Sequence, residues 1–312
     1  MDPVSDLYAA IDCGTNALRL LIGACTEDGV DDIVREMRTV RLGEGVDATG
    51  RFSDNALART FAACEEYAHL LAANPVKAVR FVATSAARDV ENREEFIAGV
   101  RSRLGVTPEV ISGREEAALS FRGAVGGLPG VPLPALVADI GGGSTEFVLG
   151  DRTGVLASVS TSIGCVRMTE RSLHTDPPTD MEIEEACVHI RAALREVPAH
   201  VPVGNAAQFV GVAGTVTTVV AMALDLPRYD ARAIHGATIT RHQVDEVTAS
   251  LLRMRRSARA TLPFMHPGRV DIIGGGALVL RESMAAFDLD AVTASETDLL
   301  DGIVCTLALM DR

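Results

Sequence analysis

Along this chain the apolar positions switch repeatedly between a period of two and a period near 3.6, and glycines stand at the switches. Tyr8–Ile11 is apolar. Asp12, then Gly14-Thr15-Asn16, interrupts it, and Ala17–Ile22 is apolar again, which reads as strand, tight turn and strand. Asp32–Leu42 reads as a third strand, closed by Gly43-Glu-Gly45. Ser53 is a helix N-cap, and Leu57, Phe61, Cys64, Ala68 and Leu71 follow at helical spacing until Asn74-Pro75. Ala78–Ala83 is a short strand, and Thr84–Asp89 leads from it toward a helix over 92–104. Glu109–Ile111 is another strand, and Ser112 opens a helix to about Val125.

The second half repeats this grammar. Leu136–Leu149 is an apolar strand ending in Asp139, then Gly141-Gly-Gly143, Ser144-Thr-Glu146 and a second strand. Gly154–Ser162 is a strand, and Ile163–Glu170 turns into a helix. A helix over 181–195 follows a cap at Thr179 or Asp180, and Gln208–Ala213 is a strand entering Gly214 and a helix to Leu224. Residues 240–256 form a helix; Arg269–Ile273 runs into Gly274–Gly276 and a helix to Phe287; Asp290–Ala294 is a last strand, and Thr297–Met310 a closing helix.

Strands alternating with helices predict an α/β architecture. Gly126–Pro134 has no period and is rich in Gly and Pro, so it is the expected boundary between domains at 1–126 and 127–312, with the last helix (297–312) packing back on the first. Asp12-x-Gly and Asp139-x-Gly are two copies of one unit 127 residues apart, which suggests duplicated domains.

The composition narrows the partners. Net charge is −13, which argues against a general DNA or anionic-membrane binder. A polyanionic substrate would need local arginines, because the overall field repels it. The six cysteines have no metal-ligand spacing and read as reduced core residues of a cytoplasmic protein. There is no leader pattern and no apolar stretch long enough to span a bilayer.

Four glycine turns are expected at strand ends: Gly14, Gly141–Gly143, Gly214 and Gly274–Gly276. In α/β sheets such ends line one crevice. Glycine admits the positive φ of a tight turn, and inward amides would cradle phosphate. Lys77 is the only lysine, so a Walker-type loop is excluded. Asp139 is placed to hold a divalent cation and Glu146 is a second acceptor. Arg253, Arg255, Arg256 and Arg259 form a basic cluster that reads as a solvated face before it reads as a phosphate track, and His235 and His266 read as structural turn residues.

The two turns together resemble the phosphate-binding hairpins of the actin-like ATPase superfamily. Ala10–Arg19, Ala83–Asn92, Ile111-Ser-Gly-Arg-Glu-Glu-Ala117, Asp139–Glu146 and Gly211-Val-Ala-Gly-Thr215 in this order resemble, more narrowly, the exopolyphosphatase / guanosine pentaphosphate phosphohydrolase family, in a short form without a C-terminal helical extension. The resemblance implies two duplicated ribonuclease H-like (actin-like ATPase) domains with an interdomain cleft, a homodimer, and Mg²⁺-dependent hydrolysis of terminal phosphate from polyphosphate or from the pentaphosphate alarmone pppGpp. It puts the catalytic carboxylate on Glu116. Phosphate and metal residues fall on Asp12, Gly14, Thr15, Asn16, Arg88, Asp139, Gly141, Gly142, Gly143, Ser144, Thr145 and Glu146. Of these, Asp139, Asp12 and Glu146 are the candidate metal ligands. Cys13 departs from the family pattern and reads as a space-filling side chain.

Phosphoryl transfer to water needs an in-line nucleophile and charge neutralisation. Glu116 at a helix start would deprotonate the water, with nearby phosphate raising its pKa; Glu146 is the rival base. Arg88 would neutralise phosphate, and Arg19 is a weaker candidate because its strand face is undetermined. The short form leads to an expected preference for short chains. Two other readings stand beside the hydrolase: an actin-like kinase, and a non-catalytic protein that binds alarmone or polyphosphate.

Overall fold

The computed structural model describes residues 6–27 and 29–311. The chain begins with strands β1 (Tyr8–Cys13), β2 (Ala17–Thr26) and β3 (Gly29–Thr39). Helices α1 (Val46–Thr49) and α2 (Asp54–Ala73) lead to β4 (Ala78–Ala83), α3 (Ser85–Arg88), α4 (Arg93–Leu104), β5 (Glu109–Val110) and α5 (Gly113–Gly126). A second run has β6 (Ala135–Ile140), β7 (Thr145–Asp151), β8 (Gly154–Thr161), α6 (Cys165–Ser172) and α7 (Asp180–Leu194). It continues with β9 (Gln208–Val212), α8 (Ala213–Ala223), α9 (Ala231–Ile234), β10 (Thr238–Thr240) and α10 (Arg241–Arg253). After α11 (Arg256–Arg259) come α12 (Ile273–Ala286), β11 (Ala291–Ala294) and α13 (Leu299–Met310).

Two compact units result. One is the chain up to Pro129 together with the segment from Thr297; the other is Gly130–Glu296. The closing helix α13 lies in the first of these units.

The two sheets share one topology. The first has the order β3-β2-β1-β4-β5 and the second β8-β7-β6-β9-β11-β10. In each, the first three strands form an antiparallel meander and the next two are parallel to the first strand. This is the ribonuclease H-like order of actin-like ATPases, present twice. The second unit adds β10 as an antiparallel edge, a strand too short to show a period in the sequence.

In the first unit β1 is buried on both faces. Ile11 and Cys13 join Leu18, Leu20, Phe81 and, from α2 and α4, Tyr67 and Phe96. Tyr8 and Ala10 join Leu119 of α5 and Leu299, Leu300, Ile303 and Val304 of α13. Strand alternation therefore turns Asp12 toward the α5–α13 side. Those two helices meet backbone to backbone. A Cβ on Gly123 would lie 1.7 Å from the Asp298 carbonyl oxygen, and one on Gly302 would lie 2.0 Å from that of Leu119.

Two expected glycine turns are absent: Gly214 lies in the first turn of α8, where the left-handed residue at the strand end is Ala213 at φ 69°. Gly274–Gly276 lie inside α12, and residues 269–273 form no strand. A Cβ on Gly275 would be 2.6 Å from Thr169 Oγ1, and one on Gly276 2.4 Å from Thr215 Oγ1. These glycines let α6 and α8 approach the helix closely, so they serve packing rather than a turn. The basic cluster also resolves. Arg253, Arg255 and Arg256 are exposed, whereas Arg259 is buried with its Nη1 donating to the carbonyls of Leu251 and Met254 at 3.4 and 3.3 Å, capping the end of α10.

Candidate active-site residues

Each unit carries its expected hairpin at the end of the first sheet strand, and the two close alike. Gly14 N–H donates to Ala17 O at 2.9 Å, and Gly141 N–H to Ser144 O at 3.0 Å. Neither Gly14 nor Gly141 adopts a left-handed φ, contrary to expectation. At Gly141 the reason for glycine is room: a Cβ would be 3.1 Å from Ser144 O.

The second hairpin is gripped from one side. The N–H groups of Cys165 and Val166 donate to the carbonyls of Gly141 and Gly142 at 2.9 Å each, and Arg167 Nε donates to Gly143 O at 2.8 Å. The C=O and N–H of a trans peptide point opposite ways. With these three carbonyls turned to α6, the amides of Gly142, Gly143 and Ser144 face away from it. Consecutive amides aimed one way make an anion-binding concavity. Gly164 makes this grip possible, since a Cβ there would lie 2.3 Å from Gly142 O. Sequence reasoning placed a turn at Gly164 but assigned no role to it or to Arg167.

Asp139, the penultimate residue of β6, lies directly across from Glu146 on β7. They are 7% and 1% exposed, so two carboxylates share a nearly water-free corner. Glu146 Oε1 accepts from the Ser144 and Ser160 hydroxyls at 2.8 and 2.7 Å, which fixes it to the hairpin. Thr145 is fully buried and its hydroxyl donates to Ile163 O. It braces the hairpin from behind and does not present its hydroxyl to a ligand.

The first hairpin is gripped by the loop after β3. Gly43 N–H donates to Thr15 O at 2.8 Å, and Val40 and Arg41 N–H donate to Asn16 O at 3.0 and 2.8 Å. Arg41 is held at φ 49°, in the left-handed region, to do so. By the same stereochemistry the amides of Asn16 and Ala17 face away from this loop. Asp12, the penultimate residue of β1, lies across from Arg19 on β2, and Arg19 Nε and Nη2 both donate to Asp12 Oδ2, at 3.0 and 2.7 Å. Arg19 also binds Asp298. Arg19 thus sits on the face of Asp12 and is committed to carboxylates. Asp12 is 5% exposed and its Oδ1 has no hydrogen-bond partner among the described residues. Burial raises the Asp12 carboxyl above its ordinary value against the pull of Arg19. Cys13 is buried in the opposite core layer, and burial raises its thiol far above the usual range, as a space-filling residue requires.

Arg88 and Glu116, expected separately as phosphate ligand and base, form an ion pair. Arg88 ends α3 with Nε donating to Ile111 O at 3.1 Å. Glu116 lies in the first turn of α5, whose N-cap is Ser112. Its side chain is 10% exposed and that of Arg88 22%, so the pair is half-buried and oriented.

Among the described residues, no three His, Cys, Asp or Glu side chains gather as a metal cage. Mg²⁺ is commonly held through one or two carboxylates, with substrate oxygens and water completing the shell. Within the second unit the two facing buried carboxylates, Asp139 and Glu146, fit such an ion; within the first, Asp12 offers a buried oxygen with no hydrogen-bond partner among the described residues.

The fold is a duplicated ribonuclease H-like one of the actin-like ATPase class, with an Asp-glycine hairpin in each copy. The comparisons narrow the class: the chain belongs to the Ppx/GppA phosphatase family, whose family model matches residues 21–310. It is 50% identical to Exopolyphosphatase 2 of Mycobacterium tuberculosis H37Rv over 96% of this chain and 98% of that protein. The crystal structure of an exopolyphosphatase-like protein, 44% identical, superposes with a TM-score of 0.93 over 98% of both chains. The Aquifex aeolicus family member, 28% identical, superposes at 0.82 over 98% of this chain and 99% of its own.

Proposed function

We propose that this protein is an exopolyphosphatase that hydrolyses the terminal phosphoanhydride of inorganic polyphosphate and releases orthophosphate. The observation that carries this reading is the glycine hairpin of the second unit, whose carbonyls are all drawn to α6 so that three successive amides face one way. The 50% identity to the M. tuberculosis Exopolyphosphatase 2 over nearly the whole chain supports the substrate class.

In this reading the amides of Gly142, Gly143 and Ser144, and those beside Thr15 and Asn16, bind phosphoryl oxygens. Such donors are pre-set and need no reorganisation as charge moves onto the leaving oxygen. Asp139 and Glu146 in the second unit, and Asp12 in the first, are the residues that would hold Mg²⁺, each within its own unit; when bound, the ion offsets charge on the phosphate oxygens. Glu116 takes a proton from the attacking water as its oxygen bonds to phosphorus and the P–O bond to the chain breaks. Arg88 orients Glu116 and offers a positive charge to the phosphate. Six free cysteines suit a reducing, cytoplasmic setting.

Orthophosphate release from polyphosphate and from pppGpp should be measured for the wild type and Glu116→Ala. Release from polyphosphate by the wild type, lost in Glu116→Ala with polyphosphate binding retained, is the expected result. Release from pppGpp alone would move the substrate to the alarmone. Binding without release by the wild type would make the protein a sensor, and unchanged hydrolysis after the substitution would remove Glu116 as the base.

A further inference from the structure

Asp298 comes from the last segment of the chain, 286 positions after Asp12, yet both carboxylates grip the same guanidinium. Arg19 spends Nε and Nη2 on Asp12 Oδ2 and Nη1 on Asp298. The Asp12 and Asp298 side chains are 7% and 6% exposed. One cation thus lies between two buried anions, and the trio carries net negative charge away from water. Asp12 Oδ1 is the buried oxygen of the trio with no hydrogen-bond partner among the described residues.

Asp298 is itself held firmly. Its Oδ1 accepts from Leu300 N–H at 3.1 Å, its own N–H donates to Asp301 Oδ2 at 2.8 Å, and Asp301 binds Arg35 at 2.5 Å. Gly123 of α5 lets the Asp298 backbone pack against the helix that carries Glu116.

We infer that Asp298 is a positioning residue for the cation function of Asp12: by balancing Arg19 it leaves the charge and the Oδ1 atom of Asp12 available to a divalent cation. This rests on the reading of Asp12 as a metal residue. Without the Asp298 charge, Arg19 would neutralise Asp12 alone, and the trio would become a closed ion pair with little to offer a metal. Partners of metal ligands commonly set metal affinity by about 10- to 100-fold.

The test uses the full chain and Mn²⁺ alone as the probe. Asp298→Asn and Asp298→Ser both retain an N-cap acceptor for α13; Asn removes the charge in place, and Ser also removes the reach to Arg19. Mn²⁺ binding followed by electron paramagnetic resonance without substrate should weaken by about tenfold in both. The Mg²⁺ concentration for half-maximal phosphate release should rise in parallel, with the melting temperature near that of the wild type. Mn²⁺ affinity and Mg²⁺ requirement equal to wild type in either folded variant would overturn the inference while leaving the metal reading intact. A wild type that neither binds Mn²⁺ nor needs Mg²⁺ would overturn the metal reading itself, and this inference with it.

Discussion

Arg19 and Glu146 occupy equivalent positions of the two hairpins, each directly across from the aspartate that is penultimate in the first strand of its unit. The duplicated backbone therefore carries opposite charges at one structural position. In the first unit the aspartate faces a guanidinium, and in the second it faces another carboxylate. The second hairpin is the more anionic corner, so it carries the larger share of cation binding in the proposed function.

Glu146→Gln should then act through the metal. It keeps the Ser144 and Ser160 contacts in outline but removes a charge beside Asp139. The Mg²⁺ concentration for half-maximal phosphate release should rise by about 10-fold or more, with partial recovery at high Mg²⁺. An unchanged Mg²⁺ titration would separate Glu146 from the metal.

The Arg88–Glu116 pair separates chemistry from binding. Glu116→Gln should lower kcat by about 10²- to 10⁴-fold and leave KM for polyphosphate close to wild type, because the residue acts on water. Arg88→Lys keeps a positive charge but loses the planar fork that bonds both Glu116 and Ile111 O. It should reduce kcat less than Glu116→Gln and raise KM more. Steady-state phosphate release over a substrate series resolves the two effects.

Gly164→Ala tests the grip on the second hairpin. The added Cβ would stand 2.3 Å from Gly142 O, which is backbone and has no rotamer to move. The cost should be about 1–3 kcal/mol of stability, as for other overpacked sites. The hairpin must shift to relieve it, so phosphate release should fall further than the loss of folded protein explains. Denaturant titration and activity at equal folded fraction would show it; a variant as stable and active as wild type would mean the hairpin is not held as described.

His266 gives the protein an acid-side sensitivity. Its Nδ1 accepts from Gly268 N–H at 3.1 Å, and burial, then the charge of Arg269, holds its pKa below the usual imidazole value. The unfolded chain therefore takes up this proton first. The stability it lends is whole above about pH 6.5 and is lost as pH falls through the lower folded value. Melting temperature between pH 7.5 and 5 should drop less steeply in His266→Gln than in wild type; parallel curves would assign the acid loss to other groups.

The sequence alone determined the elements and most of the candidate residues, because they are written in short-range pattern. Alternation marked the strands of each hairpin, Ser53, Ser112, Thr179 and Thr240 marked helix starts that the structure retains, and Asp-x-Gly repeated at a fixed distance marked the duplication. The resemblance placed Glu116 and Arg88, but nothing local could show that they meet. The face of Arg19 was undetermined because β1 and most of β2 are buried on both sides, which removes the polar alternation that would have fixed it. Gly274–Gly276 looked like a turn because a glycine run next to an apolar stretch has the same local signature whether it bends the chain or lets helices touch. Only tertiary structure could decide between these, and only it could bring Asp298 to Arg19. Contacts across 279 positions depend on which face of which sheet a distant helix covers, and that is settled by packing of α13 against α5 and β1, not by the period of any segment.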